Sequence, residues 1–475
     1  MLMKRYFFIA YIAVLSLCVV IPCGFAEEDR EYTVAGLKHE IEELRGLLKE
    51  QQKTHEVQIN DLKKQLQTLS QRIDSASSVQ TEPVVEDSIA SIREAADLEA
   101  VREPQAEETV EITSFRSGGL SLQSLNPEIS ITGDFIATYR VGDAVTEDFD
   151  FNFRGLGIHF ESYLDPYSKI KAAVPINKEG AELGEAYFTR FGIIDNINLT
   201  LGKFRQQFGV VNRWHKHALD WVDFPLPLRM IFGEGGLNQT GISCDWTGLL
   251  GNTTQEITMQ VTNGKNARLF ANNENNRPSI LLHYKNYRDL SSSTYLQFGL
   301  TGMIGWNNEW NLADSTSLRQ DESLQVYGAD ITFFWEPTDR MRYRNFEWRT
   351  EAYYLHKNII ASDSSVADTL NPWGIYTSLQ SKVTRTIEIG SRADYYRPAV
   401  KKYADTTGFL LEPLAVTEQD AYRWLGALYV TWYQSPFVKF RLEYNHEDGD
   451  GIGPAEDRIM LQAVVAAGPH KHERY

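Results

Sequence analysis

Between Phe208 and Arg229 the chain reads FGVVNRWHKHALDWVDFPLPLR, a run dense in side chains able to do chemistry. His215 and His217 are two residues apart, so on extended backbone both rings point to one side, and Asp220 and Asp223 could complete a nitrogen and oxygen shell for a metal. The competing reading is that both rings pack and hydrogen-bond within the segment. Ligand spacing in a loop does not single out a metal, so neither a metal nor a cofactor is expected. His470-Lys471-His472 is a weaker instance of the same pattern. The second chemistry is selection by charge and size. Arg213, Lys216 and Arg229 oppose Asp220 and Asp223, while Trp214, Trp221, Phe224, Pro225 and Pro227 give the segment a fixed shape. A rigid, charged segment can narrow a water-filled path. Arg213, His215, Lys216, His217, Asp220, Asp223 and Arg229 are therefore the expected constriction. No Gly-x-Ser-x-Gly elbow, metalloprotease helix motif or phosphate loop occurs, so no enzyme is expected.

What must position this segment is read from the flanking sequence. From about Ile129 onward, short segments alternate apolar and polar residues. Strands are expected near 129–140, 151–163, 167–175, 183–192, 197–206, 239–247, 255–264, 279–286, 294–306, 323–335, 345–356, 373–382, 386–396, 421–434, 437–446 and 457–467. That is about sixteen, an even number, as an all-β transmembrane barrel of antiparallel strands requires. Val438, Phe440, Leu442 and Tyr444 alternate with Lys439, Arg441, Glu443 and Asn445; Phe346, Trp348, Thr350 and Ala352 alternate with Glu347, Arg349, Glu351 and Tyr353. The apolar set should face lipid and the charged set the lumen. A water-soluble sandwich has the same period with its apolar face inward; strand number and the chain's two ends favour the membrane. Arg349, Arg392, Lys439 and Arg441 then line the lumen with Glu347, Glu351, Glu388, Asp394 and Glu443. A lining of mixed sign predicts weak ion selectivity.

The connections give orientation. Those at 164–166, 193–196, 383–385 and 435–436 are tight, and most of their alternates are long: 141–150, 207–238, 265–278, 307–322, 357–372 and 398–420. Short periplasmic turns and long outer loops place both barrel ends in the periplasm. The chain ends on the aromatic Tyr475.

Before the barrel come three further regions. Residues 1–26 read as a signal peptide: Lys4 and Arg5, an apolar run from Phe7 to Ile21, and Gly24-Phe25-Ala26 at the cleavage site. Cys18 and Cys23 leave with it, so Cys244 remains without a disulfide partner. Residues 27–75 read as a periplasmic α-helical coiled coil. Val34, Leu37, Ile41, Leu44 and Leu48 follow three-four spacing, and Ile59, Leu62, Leu66, Leu69 and Ile73 resume it after a stutter. Self-association, with a homotrimer favoured, is the expected role. Residues 76–125 form an acidic linker that carries a substantial part of the net charge of −17. That charge argues against nucleic acid as a partner; outer-membrane lipids are the expected surroundings.

Several stretches carry a resemblance. Leu201-Gly202-Lys203-Phe204-Arg205, Asn212-Arg213-Trp214-His215, Pro225-Leu226-Pro227 and Gly235-Gly236-Leu237 resemble a family of porin-like outer-membrane proteins. So do Asn126-Pro127-Glu128-Ile129-Ser130, Glu185-Ala186-Tyr187 and Gly468-Pro469-His470. The family looks related to the phosphate-selective porin superfamily. The resemblance covers most of 126–475 and implies a channel in a bacterial outer membrane whose third outer loop folds inward. It carries no substrate, and the dense arginine ladder of a phosphate pore is not evident here. The expectation is passive diffusion of small hydrophilic solutes or ions. The alternatives are an energy-coupled, metal-linked receptor and a barrel-anchored tether to peptidoglycan.

Overall fold

In the computed structural model the described residues are 116–117, 120–121, 127–143, 145–251, 253–270, 277–311, 317–337, 344–360, 366–400 and 414–468. The expected signal peptide, coiled coil, most of the linker and the final 469–475 lie outside them.

Sixteen long strands close into an antiparallel barrel. In chain order they are β1 (Glu128–Gly142), β2 (Val145–Asp165), β3 (Ser168–Asn177), β4 (Glu185–Ile194), β5 (Ile197–Arg205), β6 (Asn238–Leu250), β7 (Thr253–Thr262) and β8 (Ser279–Ser291). Then follow β9 (Thr294–Asn311), β10 (Ser317–Trp335), β11 (Asn345–Ile360), β12 (Trp373–Lys382), β13 (Ile387–Arg397), β14 (Tyr422–Ser435), β15 (Val438–Asp450) and β16 (Glu456–Ala467). Each pairs with its sequence neighbours, and β16 closes on β1 from Glu456 opposite Gly142 to Ala467 opposite Ile131. Closure leaves no exposed edge of unpaired backbone groups. Two short strands, Gly180–Ala181 and Val366–Leu370, extend the ends of neighbouring staves.

The alternation resolves as the sequence predicts for a barrel and opposite to a sandwich. On β15, Lys439, Arg441, Glu443 and Asn445 are buried, while Leu442 and Tyr444 are exposed. Outward residues on many other staves are large and apolar: Phe135, Ile242, Leu282, Leu300, Leu428, Val430 and Leu461 are all exposed. A water-soluble protein does not display apolar residues around its whole girth; a barrel in hydrocarbon does.

Two outer hairpins extend further than alternation indicates. β2 begins at Val145 rather than near 151, and β9 and β10 stay paired to Asn311 and Ser317, inside the stretch read as a loop over 307–322. Glu309, Arg319 and Asp321 lack an apolar period, yet hairpins projecting into water need none. The tight connections and both barrel ends lie at one rim. Asn196 sits there in the left-handed region, φ 66°, which asparagine tolerates in a two-residue turn.

Candidate solute passage

The segment 206–237, between β5 and β6, turns into the barrel. Irregular backbone away from water must find partners for its N–H and C=O groups, and here inward-facing side chains from around the wall provide them. Gln207 N–H donates to Gln260 of β7 (3.0 Å), Gly209 N–H to Thr301 of β9 (3.3 Å) and Val211 N–H to Glu351 of β11 (3.1 Å). Further along, Val222 N–H donates to Glu443 of β15 and Leu226 N–H to Asp394 of β13, each at 2.8 Å. Cations meet the carbonyls: Arg441 donates to Leu219 O (2.9 Å), Arg392 to Asp223 O (2.9 Å) and Arg154 to Val222 O (2.6 Å). Charged partners make these bonds stronger than neutral ones. Asn212 fastens the neck: its amide donates to Gln206 O and Leu237 O, and its oxygen accepts from Leu237 N–H.

Apolar packing completes the attachment. Phe208, Trp214, Trp221, Phe224 and the short helix α1 (Leu226–Phe232) are buried against inward Leu324, Tyr353, Tyr376, Leu425 and Tyr429. Trp214 and Trp221 lie under the guanidiniums of Arg349 and Arg392, with 4.3 Å and 4.8 Å from ring centre to Cζ. Gly209, in the left-handed region at φ 60°, brings its backbone against the Glu351 carboxylate, where a Cβ would collide.

The expected lining residues Arg349, Arg392, Lys439, Arg441, Glu347 and Glu443 all face inward, and all are buried. The segment covers this wall. Arg349 is tied to Glu347 and lies 3.6 Å from Asp220; Arg392 pairs with Asp394 at 2.9 Å. On this side the mixed charges hold the segment down and do not face an open, wet stripe.

The seven expected constriction residues do not form one ring. Asp220 points into the filled side towards Arg349, and Asp223 lies between Arg154 (3.4 Å) and Arg458 (3.6 Å). Burial alone would raise the Asp223 carboxyl, but the guanidiniums of Arg229, Arg154 and Arg458 outweigh it and hold it below the usual carboxylate range. Arg229 and Lys216 share Glu234, at 3.3 and 3.9 Å. Arg213, His215, Lys216 and His217 face the opposite wall, where the described residues enclose a series of cavities. One of about 630 Å³ lies toward the rim of the long connections, lined by Lys203, Arg205, Lys265 and Arg268. A second, about 250 Å³, is lined by His159, Glu185, Arg205, His215, Lys216 and His217. The third, about 280 Å³ and toward the rim of the tight turns, holds Lys169, Lys171, Glu185, Tyr187, Arg205 and Arg213. Arg205 borders all three cavities, and Glu185 and His215 border the second and third.

That shared point is tightly built. Glu185 accepts from the Arg205 backbone N–H at 2.9 Å and faces His215 Nε2 at 3.0 Å. Arg205 donates to the carbonyls of Asn212 and Gly235. His159, His215 and His217 cluster with ring centres 5.0 to 5.5 Å apart. Burial lowers the His215 imidazole against the pull of Glu185. Burial, with His215, His159, Lys439 and Arg154 nearby, lowers His217 much further. Among the described residues no group of three or more His, Cys, Asp or Glu side chains is arranged to hold a metal ion.

Lys169, Lys171, Glu185 and Arg205 were not among the sequence candidates for the passage. Their signal was present: Lys169 and Lys171 hold the inward parity of β3, as Glu185 does on β4. What the sequence lacks is which wall the segment leaves open.

No protein-family model matches the chain. An uncharacterized protein of Aquifex aeolicus is 30% identical over 96 residues, a stretch spanning 20% of each chain. Among solved structures, the outer membrane channel DcaP of Acinetobacter baumannii is similar with a TM-score of 0.47 and 11% identity, covering 72% of this chain and 97% of that one. A loop-deletion mutant of OmpT, an outer membrane protein of Vibrio cholerae, gives 0.46 and 10%, covering 72% and 99%. An anion-selective porin from Comamonas acidovorans gives 0.46 and 8%, covering 72% and 100%.

Proposed function

We propose that the chain is an outer-membrane diffusion channel. Small hydrophilic solutes or ions cross the barrel along the wall formed by β2 to β7, narrowed by the 206–237 segment at Arg205, Glu185 and His215. The observation that carries this reading is the division of the interior. On one side the segment is packed and hydrogen-bonded; on the other, successive cavities toward both rims meet at Arg205, two of them also at Glu185 and His215. A barrel serving only as an anchor has no need of a polar series of this kind. The apolar exterior supports placement in a bilayer. The signal peptide over 1–26 and a trimeric periplasmic coiled coil over 27–75 belong to the same proposal.

Conductance tests it. Full-length protein refolded from detergent into planar bilayers is expected to give discrete current steps in potassium chloride. Folded, inserted barrels that carry no current at any applied voltage would overturn the reading.

A further inference from the structure

Lys171, on β3, is only 6% exposed and makes no hydrogen bond or ion pair with any described residue. The stem is buried while the ammonium opens onto the adjoining cavity, where an anionic ligand would meet a charge that no described residue pairs. The nearest carboxylates are committed elsewhere: Glu161 pairs with Lys169 at 2.9 Å, and Glu185 with His215 at 3.0 Å. Lys171 lines the cavity of about 280 Å³ on the tight-turn side of the narrowing. Arg213 lines it too, exposed, with one guanidinium nitrogen on Gln207 at 2.8 Å and the remainder available. The Tyr187 hydroxyl, in the same lining, has no hydrogen-bond partner among the described residues.

We propose that this cavity is a binding subsite for a small hydroxylated carboxylate, of the sugar-acid or hydroxy-acid class, whose carboxylate sits between Lys171 and Arg213. This rests on the channel reading and names the solute class of that passage. The lining distinguishes this class from inorganic phosphate. Asp245 and Glu256 face the same space, each already partnered: Asp245 by Thr258 and Ser243, Glu256 by Lys285. A compact dianion held by Lys171 and Arg213 would meet both carboxylates. A monoanion with a hydroxylated tail turns them to use, because a carboxylate keeps acceptor sites for the tail's hydroxyls. Glucose presents the hydroxyls without the charge, and leaves Lys171 unpaired.

The test has two readouts on full-length protein. In detergent, calorimetric titration with gluconate is expected to show saturable binding, with glucose and inorganic phosphate at least roughly tenfold weaker, the equivalent of about 1.4 kcal/mol. In bilayers, gluconate is expected to interrupt the chloride current at matching concentrations. Lys171→Met should weaken gluconate at least about tenfold, as loss of a charged hydrogen bond does, and Lys171→Arg should restore much of it. Heat-modifiable migration on a gel verifies that each variant is a folded barrel, and Arg213→Gln repeats the test from the loop side. Equal binding of gluconate and glucose, tighter binding of phosphate, or full gluconate affinity in Lys171→Met would overturn the subsite. A conducting wild type that ignores gluconate defeats the subsite alone; gluconate binding without any current defeats the channel.

Discussion

His217 is held among His215, His159, Lys439 and Arg154, and both burial and those neighbours oppose its charging. Its imidazole is therefore neutral in the folded protein at pH 7. Because its folded value lies below the ordinary 6.5, the unfolded chain takes up the proton first. Stability tied to this group is complete above that value and declines as pH falls from it toward the depressed one. Carbon-13 spectra of the labelled histidines across pH 8 to 5 are the check: one ring, lost in His217→Asn, should keep its neutral shift at pH 6, and a midpoint at or above 6.5 would contradict the assignment. At this scale part of the site was legible. His215 and His217 stood out by type and spacing, whereas Lys171 looks like an ordinary inward cation on paper and Arg205 shares the outward parity of Leu199 and Leu201. Their distinction comes from which wall the segment covers, a three-dimensional fact.

For the segment 206–237 the question is what holds it, and the attachment is distributed. Glu351 accepts from Val211 N–H and from the hydroxyls of Tyr353 (2.8 Å) and Tyr376 (2.7 Å); Asp394 accepts from Leu226 N–H. Removing Glu351 orphans two buried hydroxyls and a backbone amide, at about 1–3 kcal/mol for each. The combined substitution Glu351→Ala and Asp394→Ala should therefore release the segment. Limited trypsin digestion reads this: wild-type barrel should resist cleavage after Arg213 and Lys216, and the double variant should be cut there. Equal resistance in both would mean that the apolar packing alone holds it. The attachment was partly legible. β14 carries Leu425, Ala427 and Tyr429 inward as well as Leu428, Val430 and Trp432 outward. Apolar residues on both faces make little sense against a wet lumen, and good sense beneath a packed loop. The longer β9–β10 hairpin was not legible, since strands outside the bilayer keep no apolar period.

The described residues form a cylinder whose greasy face is outside and whose interior is shared unequally. Staves β8 to β16 support a packed partition, and β2 to β7 border what stays open. All sixteen staves were readable, because each must put alternate residues toward hydrocarbon, a constraint that leaves its period in the sequence. The off-centre path was not, because alternation marks inward residues without saying what they meet. Under the channel proposal, solute crosses by that path. In a Cys244→Ser background, Thr200→Cys places a thiol on the open wall, and Thr431→Cys places one on the covered wall, where Thr431 is fully buried. A negatively charged methanethiosulfonate added to a conducting bilayer should cut the current through the Thr200→Cys protein and leave the Thr431→Cys protein unchanged. Modification at Thr431→Cys with none at Thr200→Cys would put the water on the wrong side of the barrel and contradict the account.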